Sequence, residues 1–343
     1  MPGQSRVPKI IGVGIRPGRI ETRVEDIALQ MGIGREELSR ILERTGTRVL
    51  PRMAPSESPE ELAADAAMMA LNNANWKIKD IHGMFFSSSS PSRHYIVPGP
   101  ARETASLIGL RNGNIITAGQ GCGGGMDAFY LAYLQVLRDI QQGKIRTYLV
   151  ISGDHASSKL DPTDKNTAFL LGDGFGAVII TSADVPNCYT IDDMASRTIY
   201  DYKYALIITK DSADARSFFY MTGPAVVKLV SLVGPAIPEL FGLDRLPLDD
   251  VMIPHQPSLV GLQHLQKRTR IRVYSVIERW GNLVGASPFF ALHDWVEHEV
   301  NDHPNKNLWL VAFGAEGRLT AGRLRPHGNI QKLVGKESPH RLH

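Results

Sequence analysis

The sequence predicts an α/β fold. Short β-rich runs alternate with helical-period stretches along all 343 residues, the second half repeats the plan of the first, and no low-complexity tract interrupts either. KIIGVGI, from Lys9, reads as the first strand, and GREELSRILERTG as a helix that stops at Gly46. In SPEELAADAAMMALNNAN, Ser58 stands as N-cap and Glu61, three residues on, completes a capping box. HGMFFSSSS is a strand running into a polar loop. MDAFYLAYLQVLRDIQQGK has helical period with apolar residues on most faces, so it predicts a buried helix. TYLVISGD and FGAVIITS are strands around a loop built on LDPTDKNT. In the second half, VVKLVSLVGPAIPELFG predicts a helix kinked near Pro235, and VMIPH a strand entering a loop. SLVGLQHLQKRTR and ASPFFALHDWVEHEV read as helices and NLWLVAFG as a strand. The stretch from Ser182 to Tyr220 is the least regular, and a boundary near Asp184 divides residues 1–184 from 185–343. NIQKLVGKESPHRLH, from Asn329, reads as a frayed tail.

Composition narrows the function. Hydrophobic residues at 43% and charged residues at 21% are ordinary for a globular chain. No stretch reaches the about 18 consecutive apolar residues of a membrane span. MPGQSRVPKIIGVGI lacks the apolar core and cleavage site of a signal peptide, so a cytoplasmic location is expected. Two cysteines, Cys122 and Cys188, supply neither a disulfide framework nor a four-cysteine zinc site. A net charge of +3 without aromatic-basic runs gives no reason to expect nucleic acid.

Cys122 lies in AGQGCGGGMDAF, after a strand-like run and directly before the most apolar helix. Flanking glycines permit a sharp turn and close approach to the sulfur. A thiol at a helix N-terminus faces unpaired N–H groups and the positive end of the macrodipole, which favour thiolate. Read alone, Cys122 is either a nucleophile or a small buried apolar residue. His255 in VMIPHQP stands where a strand ends and a loop begins, the place where α/β folds collect active sites. Asn282 in WGNLVGAS is open to a role in chemistry or in an ordinary turn. The order Cys, His, Asn also occurs in papain-like proteases, but their Cys-Gly-Ser-Cys-aromatic pattern is missing. Gly12, Gly14 and Gly18 miss the dinucleotide-binding spacing, and GDGFGAV enters a strand, so both glycine runs read as tight turns.

Taken together, the pieces resemble β-ketoacyl-ACP synthase III of the thiolase superfamily. RTGTR from Arg44, the Cys122 glycine loop, SGD with LDPTDKNT and GDGFGAV, YMTGPAVVK from Tyr220, PHQPS, GNLVGASP and a closing AFG fall in family order. The resemblance implies two βαβαβαββ halves in a five-layer αβαβα sandwich, assembled as a homodimer. It implies that Cys122 takes an acyl group from a thioester. His255 and Asn282 then donate hydrogen bonds to a malonyl-type thioester as it loses CO₂, and the enolate attacks the acyl-cysteine. The Cys122 amide and one from the turn of Gly314 and Ala315 would hold the oxyanion. No cofactor is implied; acyl-CoA or acyl-ACP and the malonyl thioester are substrates.

Departures from the family bear on the substrate. Arg40 and Ser158 stand where the family places a tryptophan and an arginine that grip the adenine of coenzyme A, which favours an acyl-ACP donor. Val260 stands where the family's carrier-docking arginine falls; Arg44, Lys267, Arg268 and Arg270 are candidates to replace it. Phe169, Leu170 and Phe219 are candidate walls of the acyl pocket, with a plain core role as the alternative for each. The competing reactions are acyl transfer to a hydroxyl or amine without decarboxylation, a non-catalytic subunit of a heterodimer, and non-decarboxylative condensation with Glu103 as base.

Overall fold

The computed structural model describes residues 6–90, 99–119, 121–161, 163–199, 206–210, 217–221, 223–314 and 317–335. In chain order the first half contains β1 (Lys9–Pro17), β2 (Ile20–Arg23), α1 (Val24–Gln30), α2 (Arg35–Thr45), β3 (Val49–Arg52) and α3 (Pro59–Ala74). It continues with β4 (Gly83–Ser87), α4 (Pro100–Leu107), β5 (Asn114–Thr117), α5 (Gly121–Gln141), β6 (Thr147–Asp154) and β7 (Gly174–Thr181). Then follow β8 (Cys188–Thr198), β9 (Leu206–Lys210), β10 (Ser217–Met221), α6 (Gly223–Leu240), β11 (Val251–Pro254) and α7 (Leu259–Thr269). The chain closes with β12 (Arg272–Val273), α8 (Ile277–Trp280), α9 (Ser287–His298), β13 (Leu308–Phe313) and β14 (Arg318–His327).

One ten-stranded sheet runs β12-β11-β13-β14-β8-β1-β7-β6-β4-β5. Its two sides repeat each other. β4 pairs parallel with β5 and β6, and β7 antiparallel with β6 and β1. In the same way β11 pairs parallel with β12 and β13, and β14 antiparallel with β13 and β8. A short seam, Lys9 opposite Thr190 and Ile10 opposite Tyr189, joins the two.

Alternation along the strands makes five layers of this sheet. Ile10, Val13, Phe85, Val150 and Val178 point one way and share a core with α5, α9 and inward residues of the other side such as Ile253, Leu308 and Leu310. Ile11, Met84, Phe86, Leu149 and Ile179 point the other way, against α3 and α4. Met252, Trp309, Val311 and Ala321 likewise face α6 and α7. The order is therefore helix, sheet, helix, sheet, helix: the duplicated αβαβα sandwich.

Local signals explain the start of α3 and the end of α2. Ser58 Oγ accepts the Glu61 N–H at 3.2 Å and Glu61 Oε2 accepts the Ser58 N–H at 2.9 Å, the reciprocal cap that starts α3. α2 ends at Gly46 with φ of 77°, and a Cβ there would lie 2.6 Å from Leu259 Cβ, so glycine also lets α7 close on α2.

Three expectations are corrected. Gly12 and Gly14 lie inside β1 rather than in a turn, and Gly174 and Gly176 inside β7. A Cβ on Gly14 would sit 2.3 Å from Ala66 O, so the glycines let the alanine-rich face of α3 press on the strand. The irregular stretch from Ser182 contains β8, whose inward Tyr189 and Ile191 enter the central core. The closing segment is not frayed as far as Val334, because Ile330, Leu333 and Val334 are 3%, 1% and 3% exposed in that same core, and residues 336–343 lie outside the described residues.

Candidate active site

Duplication brings the ends of equivalent elements to one place. Cys122 is the second residue of α5, and His255 follows directly on β11. Asn282 precedes α9, the counterpart of α5. All three are buried, at 7%, 2% and 5% exposure, and all three line one cleft of about 470 Å³ with Thr167, Leu171, Phe313 and Gly314. A second, largely apolar cleft of about 790 Å³ abuts it, sharing Met221, Val226 and Pro257, and carries Arg44, Asn166 and His264 in its wall.

The glycines after Cys122 serve packing. A Cβ on Gly124 would lie 2.2 Å from Ser87 Oγ, and one on Gly125 would lie 2.1 Å from Gly285 O. The first turn of α5 thus touches both the end of β4 and the turn before α9, which places the sulfur between the two sides of the molecule.

His255 and Asn282 are oriented by one residue, Val284. The His255 Nδ1 to Val284 O contact of 3.1 Å requires a proton on Nδ1, since a carbonyl only accepts. Nε2 is then the unprotonated nitrogen of the neutral ring. Burial holds the His255 pKa down to about 4. The Val284 N–H donates to Asn282 Oδ1 at 2.9 Å, which turns the amide NH₂ toward His255 Nε2, 3.5 Å away. Val284 has φ of +52°, a left-handed conformation costly for a β-branched residue. The Asn282 backbone is gripped as well: its N–H donates to Leu170 O at 2.8 Å and its carbonyl accepts from Gly172 N at 3.0 Å. Sequence reasoning missed Val284. A valine between leucine and glycine gives no sign of a positive φ.

The remaining candidates separate. Phe219 packs in a cluster with Cys122, Ala156, Leu171 and Val284. Leu170 lines the outer cleft. Phe169 lines neither cleft and takes the plain core role that was its alternative: it joins Ile41 and Leu50 under α1 and α2, while Leu171, two residues on, turns to Cys122. The Gly314 amide donates to Arg318 O at 3.0 Å and the Gly317 amide to Gly314 O at 2.9 Å, so neither is open to an oxyanion. Ala315 lies outside the described residues.

Arg44 borders the outer cleft, and Lys267, Arg268 and Arg270 sit at the far end of α7, roughly 15 Å along its axis from Ser258. Arg268 and Arg270 line a different cleft with Arg245. Arg40 and Ser158 are exposed, and the Ser158 hydroxyl donates to His155 O at 2.7 Å. Among the described residues no cluster of three or more His, Cys, Asp or Glu is placed to hold a metal, and no helix is long and apolar enough to cross a membrane.

Comparison with known proteins agrees with this geometry. Residues 119–198, which include Cys122, match the family of 3-oxoacyl-[acyl-carrier-protein (ACP)] synthase III. The β-ketoacyl-[acyl-carrier-protein] synthase III of Pectobacterium atrosepticum is 27% identical over 287 residues, covering 80% of this chain and 86% of that one. In fold, the chain is similar to the 3-oxoacyl-(acyl carrier protein) synthase III of Pseudomonas aeruginosa, with a TM-score of 0.75, 24% identity, and 93% and 98% of the two chains covered. The priming β-ketosynthase of a polyketide biosynthetic pathway gives a TM-score of 0.79 at 22% identity, with 96% and 98% covered. Matched segment, relative and fold coincide: the chain is similar to the β-ketoacyl-[acyl-carrier-protein] synthase III enzymes and shares their fold.

Proposed function

We propose that the chain carries out decarboxylative Claisen condensation between an acyl group on Cys122 and a malonyl-type thioester, in fatty-acid or specialised lipid or polyketide synthesis. The observation that carries this is Asn282, whose amide NH₂ is fixed by Val284 to face the cleft that Cys122 and His255 line. In the first half-reaction His255 Nε2 takes the thiol proton, the thiolate attacks the donor's carbonyl, and the donor thiol leaves with that proton. In the second, the bond to the malonyl carboxylate breaks and CO₂ leaves. The electron pair forms an enolate, and its carbon attacks the acyl carbonyl, expelling Cys122 as thiolate. Asn282 donates to the enolate oxygen in every protonation state. His255 joins it only when doubly protonated, because its Nδ1 proton is committed to Val284 O. The entering carboxylate favours that form by raising the ring's proton affinity. With Gly314 engaged, Ala315 and the Cys122 amide are the proposed oxyanion donors.

The donor is an acyl-ACP, because Arg40 and Ser158 leave the adenine of coenzyme A without its usual grip. The carrier docks around Arg44, the basic residue at the outer cleft. The protein acts in the cytoplasm as a homodimer, with residues 1–184 and 185–343 as the two halves of each chain. The alternative, acyl transfer to a hydroxyl or amine, would need only Cys122 and His255.

The test incubates the protein with acyl-CoA and acyl-ACP thioesters and reads acyl adducts by intact mass, beside Cys122→Ala. Malonyl-ACP is then added and CO₂ is measured. The expected result is an adduct that requires Cys122 and is consumed with CO₂ release. An adduct that persists with malonyl-ACP but is discharged by alcohols or amines would establish the alternative.

A further inference from the structure

Beside Cys122 lies a polar turn built from consecutive serines. Ser87 ends β4, and Ser88, Ser89 and Ser90 follow it. Asp154, the last residue of β6 and 2% exposed, sets a single carboxylate oxygen against three donors of this turn. These are Ser89 N at 2.6 Å, Ser90 Oγ at 3.2 Å and Ser88 Oγ at 3.3 Å. Lys159 Nζ donates to the Ser89 carbonyl, and His155 N donates to Ser90 Oγ at 2.7 Å. A serine held from both faces in this way has little freedom left. Its one remaining group, the hydroxyl oxygen, accepts the N–H of Gly121 at 2.8 Å.

Gly121 is the residue directly ahead of Cys122, and its φ of +68° is a conformation that glycine enters and leaves easily. We infer that Ser89 is a positioning residue for Cys122: its hydroxyl, locked by the turn around Asp154, anchors the first amide of α5 and thereby aims the amides that follow at the sulfur. An anchored first turn presents its N–H groups and dipole to the thiolate, whereas a loosened one spreads them.

The charged and titratable groups around Cys122 come from several elements. His255 faces it from the end of β11. Asp127 lies further along α5, bound to Arg318 at 2.9 Å. Asp154 and Lys159 lie beneath the serine turn, and Lys159 Nζ is 6.0 Å from the centre of the Phe219 ring. Replacing Ser89 changes none of these charges, so a change in thiol ionisation reports the anchor.

The inference rests on Cys122 being the nucleophile, and alkylation reads the thiol without any acyl donor, so it stands or falls apart from the condensing reaction. The experiment follows iodoacetamide alkylation of Cys122 against pH in wild type, Ser89→Ala and Ser89→Thr, with thermal midpoints. Ser89→Ala is expected to alkylate about tenfold more slowly at pH 7, an upward shift of about one unit in thiol pKa. Ser89→Thr, which keeps the hydroxyl, restores the wild-type profile. An Ser89→Ala profile that overlays wild type overturns the inference, as does an Ser89→Thr profile matching Ser89→Ala in a normally melting protein. Should Ser89→Ala fail to fold, Ser89→Gly, which also removes the hydroxyl and changes no charge, provides the reading: the same upward shift supports the anchor, and an unshifted profile refutes it.

Discussion

At the scale of single residues, Asn282 and His255 separate by what each can donate. Asn282→Ala removes the donor that needs no proton, so CO₂ release from malonyl-ACP should fall by 10²–10³-fold, on the order of a lost oxyanion donor, while loading of Cys122 persists. Loss of loading to the same degree would place Asn282 in the first half-reaction instead. His255 also leaves a mark on stability. Its pKa is held at about 4 in the folded protein, against about 6.5 in an unfolded chain. Between these values the unfolded chain binds more protons, so this contribution is intact above about pH 6.5 and is lost as the pH falls toward 4. It amounts to about 2 kcal/mol between pH 7 and pH 5. Asp154, pushed up to about 6 by burial, acts with the opposite sign over the same range. The comparison must therefore be made against His255→Asn. Its unfolding free energy should decline less than that of wild type by this amount, and parallel declines would contradict the assignment.

At the scale of elements, the nucleophile helix is set by contacts that glycine alone permits. Gly125→Ala would drive a methyl group into Gly285 O, 2.1 Å away, and should cost about 1–3 kcal/mol in denaturant unfolding as well as most acylation of Cys122. Retention of both would show that the two helix starts are freer than their packing indicates. Elements with strong local signals were legible in the sequence: the Ser58–Glu61 cap announces α3, and the apolar period announces α5. Gly12 and Gly14 were misread because a glycine under a helix and a glycine in a turn look alike until the partner, Ala66 or Ala70, is in place. Cys122, His255 and Asn282 were legible through family motifs. Neither the positive φ of Val284 nor the hold of Ser89 on Gly121 leaves a local pattern, because each is fixed by residues far along the chain.

At the scale of the whole molecule, the central layer draws on both sides of the sheet and on the chain end. Leu333 is 1% exposed there, beside residues of α9 and β1. Leu333→Ala should lower the unfolding free energy by about 2–5 kcal/mol, measured in urea, whereas a truly frayed end would leave it unchanged. The same intimacy bears on how ligands arrive. Asn282 is clasped through its backbone by Leu170 and Gly172, residues from the Cys122 side of the sheet. The two sides cannot swing apart without breaking that clasp. The abutting apolar cleft, which shares Met221, Val226 and Pro257 with the site, is then expected to hold the thioester arm without the two sides parting. A mouth of fixed width suits a slender thioester arm, and a donor branched next to its sulfur is expected to load Cys122 more slowly than a straight one.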